Sequence, residues 1–342
     1  MPECERPLHE PDRLVNCQGS VVAIASSNIA LAKYWGKRDE QLNLPYTGSI
    51  SVGLAGLTTT ATVTFRADLD DDRISLPGES SPAAQRRIGA FLNLVRQVAQ
   101  QPARAVVCIT SNFPVAAGLA SSASTFAALA LAASHAAGLS LSERELSILA
   151  RRGSGSAARS VPSGYVEWLT GEATDGSDSY AIQLAPADHW ELAILVAITD
   201  EGPKRVGSRE GMAHVIKQSP YFPAWLASHD ADLEAVRRGI HERDLQLLGQ
   251  AAEHNCLKMH AASMAARPAL LYWTPATLAV IQRVVQLRHE GYDAYFSIDA
   301  GPQVKVFCPP AQRDAVAAVL TEVPGVQRVL CCAPGGGVRL AQ

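Results

Sequence analysis

Residues able to do chemistry concentrate in four short segments of this chain. The first is NFPVAAGLASSAS, Asn112 to Ser124, where a loop containing Pro and Gly leads into an Ala-rich run. A helix starting there would offer unpaired backbone N–H groups and about half a unit of positive charge, the makings of a phosphate site. Gly118 would let the backbone approach phosphates closely, and Ser121 and Ser122 would add hydroxyl ligands for phosphate or Mg2+. No Gly-Lys-Ser/Thr ends the segment, so it is not a Walker loop, and a glycine loop ahead of a close-packed helix is the plainer alternative. The second, NIALAKYWGKRD, holds Asn28, Lys33, Tyr34, Lys37, Arg38 and Asp39 after a predicted buried strand. It either delivers cations to a cleft or ends in a solvated basic turn. The third, RRGSGSAARS, sets Ser154, Ser156 and Arg159 among glycines that allow an anion-binding nest or simply a flexible loop. In the fourth, SIDAGPQVKVF, Asp299 ends a strand before Gly301 and Pro302, as a general base or as a turn cap. A fifth candidate, HNCLKMH, places Cys256 and His260 one helical turn apart, but two aligned ligands favour a packed helix over zinc.

The elements that must position these groups follow from periodicity. Val21 to Ala25, Ser49 to Leu54 and Thr58 to Phe65 read as short strands. Ile88, Phe91, Leu92, Val95 and Val98 recur at helical spacing, so 84–100 is an amphipathic helix, followed by a strand near Ala105 to Thr110. Ala120 to Ala137 has small side chains on nearly every face and suits a helix packed inside the protein. Ser142 and Glu145 form a capping box for a helix to about Arg152. Leu192 to Ile198 is a buried strand, and beyond it lie helical stretches at 209–217, 230–262 and 275–290. Tyr292 to Ile298, Val304 to Cys308 and Val326 to Leu330 complete a second α/β half. The division expected is a disordered leader, 1–19, an N-terminal half, 20–188, and a C-terminal half, 189–342.

Composition narrows the partners. The 342 residues are 47% hydrophobic and 18% charged, enough for a sizeable core. A formal charge of −3 gives no bulk attraction to nucleic acid or an anionic membrane, so anion binding must come from a local cluster. No apolar run approaches the roughly 20 residues that span a bilayer, and the first twenty residues lack the apolar stretch of a signal peptide. Seven scattered cysteines without a CxxC pair argue against a disulfide framework and for a reducing, cytoplasmic setting, with Cys331 and Cys332 as strand residues.

Pro114, Gly118, Leu119, Ser121, Ser122 and Ala123 form a pattern that resembles the ATP loop of the GHMP superfamily of small-molecule kinases. In order, NIALAKYWGKRD, FPVAAGLASSAS, RRGSGSAARS, SREGM and SIDAGP resemble the diphosphomevalonate decarboxylases, a branch of that superfamily, from about Ala23 to Val306. The resemblance implies an α+β GHMP kinase fold. Its halves would be a ribosomal protein S5-like N-terminal domain and a ferredoxin-like C-terminal domain, with the active site in the cleft between them. It also implies ATP, Mg2+, a small phosphorylated substrate and a homodimer. The reaction implied is phosphorylation of the 3-hydroxyl of mevalonate 5-diphosphate and its decarboxylation to isopentenyl diphosphate. By position, Asp299 matches the family's catalytic aspartate and Lys33 its motif lysine, while Arg159 and Asn28 would orient the substrate carboxylate. Tyr34, Lys37, Ser154, Ser156 and Arg209 would grip the diphosphate, with Ser208 and Met212 lining the pocket and Arg87, beside Arg86, as a further phosphate contact. Pro114, Ala117, Gly118, Leu119, Ala120, Ser121 and Ser122 would hold the nucleotide, Ser122 also the Mg2+. Ser26, Ala158, Gly207 and Gln303 depart from the family's usual Pro, Cys, Ser and Asn without removing a catalytic group; Gly207 and Gln303, in segments expected to line the substrate pocket, leave open a decarboxylase of mevalonate 5-phosphate. A ligand sensor without turnover would have no need of the Asp299 and Lys33 that this chain keeps.

Overall fold

The computed structural model describes residues 19–76, 82–113, 121–202 and 205–341. The expected leader lies outside them except for Gly19. From the N-terminal side run strands β1 (Val21–Ala32), β2 (Lys37–Asp39), β3 (Leu44–Pro45), β4 (Ser49–Arg66) and β5 (Arg73–Ser75). Helix α1 (Pro82–Ala99), strand β6 (Arg104–Ser111) and helices α2 (Ser121–Ala136) and α3 (Glu143–Gly153) follow. A 3-10 turn, Gly155–Ser160, leads to β7 (Tyr165–Trp168) and β8 (Ala181–Ala185). Next come β9 (Ala193–Ile198) and helices α4 (Ser208–Gln218), α5 (Phe222–Ala227), α6 (His229–Glu242), α7 (Leu245–Met264) and α8 (Pro275–His289). Strands β10 (Tyr295–Ile298) and β11 (Val304–Cys308), helix α9 (Arg313–Thr321), β12 (Arg328–Cys332) and β13 (Arg339–Leu340) end the chain.

The elements build two large sheets, beside a two-stranded ribbon of β2 and β3. One has the order β13-β1-β4-β6-β5, with β7 paired to the near end of β4 and β8 to β7; the other is β10-β11-β9-β12. The chain's end thus crosses back to the first sheet, where Leu340 pairs with Ala23. Two expected strands, Ser49 to Leu54 and Thr58 to Phe65, belong to one continuous strand, β4, but Gly56, with φ 88°, bends it where the ladder to β1 slips in register, from Ser26↔Thr58 to Asn28↔Gly53. The first strand likewise runs past Ala25 to Ala32, with register shifts at Ser26/Asn28 and Ala30/Ala32. The expected helix 230–262 is two helices, because Arg243 turns left-handed at φ 56° and the Asp244 carboxylate caps α7 on Leu247 N–H.

Packing explains the sequence patterns. Strand β9 is apolar throughout because both faces are covered: Ile194, Val196 and Ile198 face the core shared with the first sheet, while Ala193, Leu195 and Ala197 face the core under α8 and α9. The Ala-rich α2 is buried along most of its length, and its small side chains let the sheet and the turn at Gly155–Ser160 come close. Cys108, Cys256, Cys308 and Cys332 are free thiols, whereas Cys331 is disulfide-bonded, which the scattered cysteine spacing did not suggest.

Candidate active site

Between the two sheets lies a cavity of about 270 Å3. It is lined from β1 and its following turn by Asn28, Lys33, Tyr34 and Lys37, from α1 by Arg87 and from the start of α2 by Ser121 and Ser122. The turn after α3 adds Ser154, Ser156 and Arg159, α4 adds Ser208, Arg209 and Met212, and the end of β10 adds Asp299. Every described residue given a binding or catalytic role by the resemblance, Arg86 apart, is therefore in one place, whereas Arg38 turns to the Gly171 carbonyl at 2.9 Å and neither it nor Asp39 lines the cavity. Pro114, Ala117, Gly118, Leu119 and Ala120 lie outside the described residues. Arg86 lines only a neighbouring depression, while Arg87 reaches the main cavity.

Local folding explains why these groups converge. The β1 register shift at Asn28 directs its amide to the turn after α3, where Nδ2 donates to Ser160 Oγ at 2.7 Å and to the Ser156 carbonyl at 3.3 Å. Five residues on, Lys33 is 1% exposed; its Nζ donates to the Ala30 carbonyl and to Asp299 Oδ1, each at 2.8 Å. Its backbone N–H donates to Asn255 Oδ1 at 2.7 Å, and Asn255 in turn donates to Asp232 Oδ2 at 2.8 Å. Gly155 has to be glycine, since a Cβ there would lie 2.7 Å from the Tyr34 hydroxyl. The ring of Tyr34 stands edge-on to Trp168, with centroids 4.8 Å apart. Arg87 donates twice to the Gly153 carbonyl and lies 4.5 Å above the Phe126 ring, which fixes its fork at the cavity wall.

The electrostatics suit a polyanion. Among the described residues the lining carries Lys33, Lys37, Arg87, Arg159 and Arg209 against one carboxylate, Asp299. Burial, with Arg209 and Arg87 adding repulsion, lowers the Lys37 pKa to about 8. Burial and then Arg209 lower that of Arg87 to about 10. Burial by itself would raise the Asp299 pKa, yet Lys33, Lys305, the Lys33 hydrogen bond and Arg159 outweigh it and hold the group at about 2. The Tyr34 hydroxyl and Arg159 Nε are buried and find no hydrogen-bond partner among the described residues. Orphaned donors on a cationic wall fit phosphate and carboxylate oxygens, so the residues present suit a nucleotide and a second anionic substrate. Hydroxyls of Ser122, Ser154 and Ser156 form a chain with contacts of 3.3 and 3.4 Å, beside the start of α2.

Comparison with known proteins agrees with this geometry. The profile of the diphosphomevalonate decarboxylase-like N-terminal domain matches residues 25–181, and that of the mevalonate 5-diphosphate decarboxylase C-terminal domain matches 194–331. Human diphosphomevalonate decarboxylase is 36% identical over 308 residues, spanning 84% of this chain and 76% of the relative. The chain belongs to the diphosphomevalonate decarboxylase family. Its fold is the GHMP kinase fold that the motifs implied. A solved structure of MDDEF in complex with MVAPP, AMPPCP and magnesium superposes with a TM-score of 0.88 at 40% identity, covering 94% of this chain and 99% of that one. The mevalonate diphosphate decarboxylase from Enterococcus faecalis gives 0.87 at 38% identity, with the same coverage.

Some residues that build this family member's site carried no signal in the motifs. Ser49 accepts from Arg159 Nη1, Ser160 relays Asn28 to the Ser26 carbonyl at 2.9 Å, and Lys305 lies 3.7 Å from Asp299 Oδ2. Of these only Lys305 was visible in principle, as a lysine between valines of a buried strand. Cys256 and His260, weighed for zinc, instead hold β10: Ile298 N–H donates to Cys256 Sγ at 3.2 Å, and His260 Nε2 lies 3.4 Å from the Ile298 carbonyl. Gln303, where the family usually has Asn, accepts from Thr199 N–H at 2.6 Å and is not among the cavity's lining residues; Gly207 is.

Proposed function

We propose that this chain carries out the ATP-dependent decarboxylation of mevalonate 5-diphosphate to isopentenyl diphosphate, with release of CO2, ADP and phosphate. The observation that carries the reading is the Lys33–Asp299 ion pair, 2.8 Å long, facing a cavity whose other charges are cationic. The named relatives and the family membership support the same reaction.

In this reading the 5-diphosphate lies against Tyr34, Lys37, Arg87, Ser154, Ser156, Ser208 and Arg209, and its binding energy holds the reacting end in place. Met212 lines the apolar side, and Arg159 with Asn28 orients the carboxylate. Nucleotide phosphates face Ser121 and Ser122 at the start of α2, where the helix dipole favours negative charge. Magnesium, when bound, would neutralise phosphate charge; Ser122 is the hydroxyl assigned to it, and the described residues contain no group of three or more His, Cys, Asp or Glu able to hold a metal. As the 3-hydroxyl oxygen bonds to the γ-phosphorus, its proton passes to Asp299 and ADP leaves. The C3–O bond then breaks, and the electron pair of the bond to the carboxyl carbon becomes the new double bond as CO2 departs. An aspartate held near 2 is a weak resting base, so its larger contribution is a fixed negative charge beside the positive character that develops at C3.

The test supplies ATP, Mg2+ and mevalonate, its 5-phosphate or its 5-diphosphate, and measures ADP and CO2 separately. Equal release with the 5-diphosphate is expected; ADP without CO2 would overturn the reading, and preference for the 5-phosphate would change the substrate. A homodimer in the cytoplasm is part of the same proposal, checked by light scattering and by imaging of the tagged protein in cells. No described helix is long and apolar enough to cross a membrane.

A further inference from the structure

Strand β11 carries a charge in an unusual position. In VKVFC the alternation sends Val304, Val306 and Cys308 into the core beneath α8 and α9, and sends Lys305 and Phe307 to the face toward the first sheet. Lys305 is 1% exposed there. A buried ammonium is costly unless a counter-charge is close. The β10–β11 hairpin pairs Lys305 with Ser297, and Asp299 follows Ser297 by two residues, on the same side. Lys305 Nζ thus lies 3.7 Å from Asp299 Oδ2, while Lys33 holds Oδ1 at 2.8 Å. The two oxygens of one carboxylate face two lysines, one from each half of the molecule.

The lysines differ in access. Lys33 lines the cavity and Lys305 is not among its lining residues, so an entering phosphate competes for the first and not directly for the second. We propose that Lys305 is a positioning residue, the dedicated counter-ion that keeps Asp299 charged while Lys33 turns to the transferring phosphoryl group. The proposal deepens the functional reading above and rests on it. Because Lys33 both lines the cavity and pairs with Asp299, a phosphoryl group transferred beside Asp299 would draw on the same ammonium. Once Lys33 is shared with a multiply charged phosphate, burial would favour the neutral acid at Asp299 unless a second cation remained. A neutral Asp299 could neither take the hydroxyl proton nor offset positive charge at C3.

The other groups facing Asp299 are Arg159 from the turn after α3 and Cys256 and His260 from α7. Burial, with Lys33 adding repulsion, lowers His260 to about 3; burial raises Cys256 to about 11 and lowers Arg159 to about 10. None of them changes charge at mildly acid pH, and Asp299, held at about 2, would do so there only on losing its cationic partners.

The experiment compares the full-length chain with Lys305→Met, Lys305→Gln and Lys305→Arg, following ADP and CO2 from mevalonate 5-diphosphate, ATP and Mg2+ between about pH 4.5 and 9. Lys305→Met and Lys305→Gln should bring an acid limb of kcat up into this range, with turnover at pH 4.5 at least about threefold below that at pH 7, whereas the unsubstituted chain, its Asp299 held at about 2, and Lys305→Arg should show no such limb from this group. A purely structural role would lower the rate by one factor at every pH. Profiles of the methionine and glutamine variants that superimpose on the unsubstituted chain after scaling overturn the proposal, and either variant suffices if the other folds poorly. If the unsubstituted chain releases no CO2, or Asp299→Asn keeps full turnover, the functional reading itself has failed.

Discussion

Replacing Tyr34 by Phe should make the free protein more stable and its substrate bind more weakly. The ring packs edge-on to Trp168, and phenylalanine keeps that contact. What is lost is a hydroxyl buried at the cavity wall that has no hydrogen-bond partner among the described residues. Burial raises its pKa, partly opposed by Arg159, Arg209 and Arg87, so the group remains a neutral donor at working pH. An unsatisfied buried hydroxyl costs about 1–3 kcal/mol, and removing it should recover about 1 kcal/mol, or roughly 2 °C in thermal midpoint for a chain of this size. When a diphosphate oxygen accepts from that hydroxyl, the charged hydrogen bond is worth about 1.5–3 kcal/mol, so dissociation should rise about 10- to 100-fold. Calorimetric titration with mevalonate 5-diphosphate and a thermal melt of the free protein measure the two halves. Affinity unchanged within about threefold, or a lower melting midpoint, refutes the reasoning.

Asp299→Asn should retain nucleotide binding and lose ADP and CO2 release together, which a binding assay beside both product assays will check. Because Lys37 titrates near 8 in the free protein, kcat/KM should fall above that pH as the diphosphate loses a cation, and Lys37→Gln should flatten the limb. For stability the sign is opposite: between about 8 and 10.5 the unfolded lysine binds more protons than the folded one, so this group's contribution rises with pH, measurable by denaturant titration. Gly155→Ala sets a Cβ 2.7 Å from the Tyr34 hydroxyl and should weaken diphosphate binding at least about tenfold, seen as a rise in KM larger than any fall in kcat.

Much of the site could be read before the fold because its chemistry sits in contiguous motifs. Lys33, Tyr34 and Lys37 occupy one turn, Ser154, Ser156 and Arg159 another, and glycine and proline punctuation marks the boundaries. Element type was legible where periodicity was strong, as in α1 and β9. It failed where a glycine bent a strand instead of ending it, at Gly56, and where a polar Arg243–Asp244 step divided a helical run. The causes differ: at Gly56 the continuation of the strand depends on partners distant in sequence, whereas at Arg243–Asp244 a local cap, Asp244 accepting from Leu247 N–H, was overridden by the helical periodicity around it.

By itself, then, the sequence determined which side chains are available and that cations outnumber carboxylates in the motif segments. Only the tertiary structure decided which of them meet. Asp299 lies 266 positions from Lys33 and pairs with it because β10 is docked on β1, where Ser297 Oγ donates to the Ala30 carbonyl at 3.1 Å. Lys305 gained a role because an alternating strand turned it toward that carboxylate, and Cys256 and His260 became supports for β10. Burial sets the charge behaviour of these groups, and burial is a property of packing that no short stretch of sequence contains.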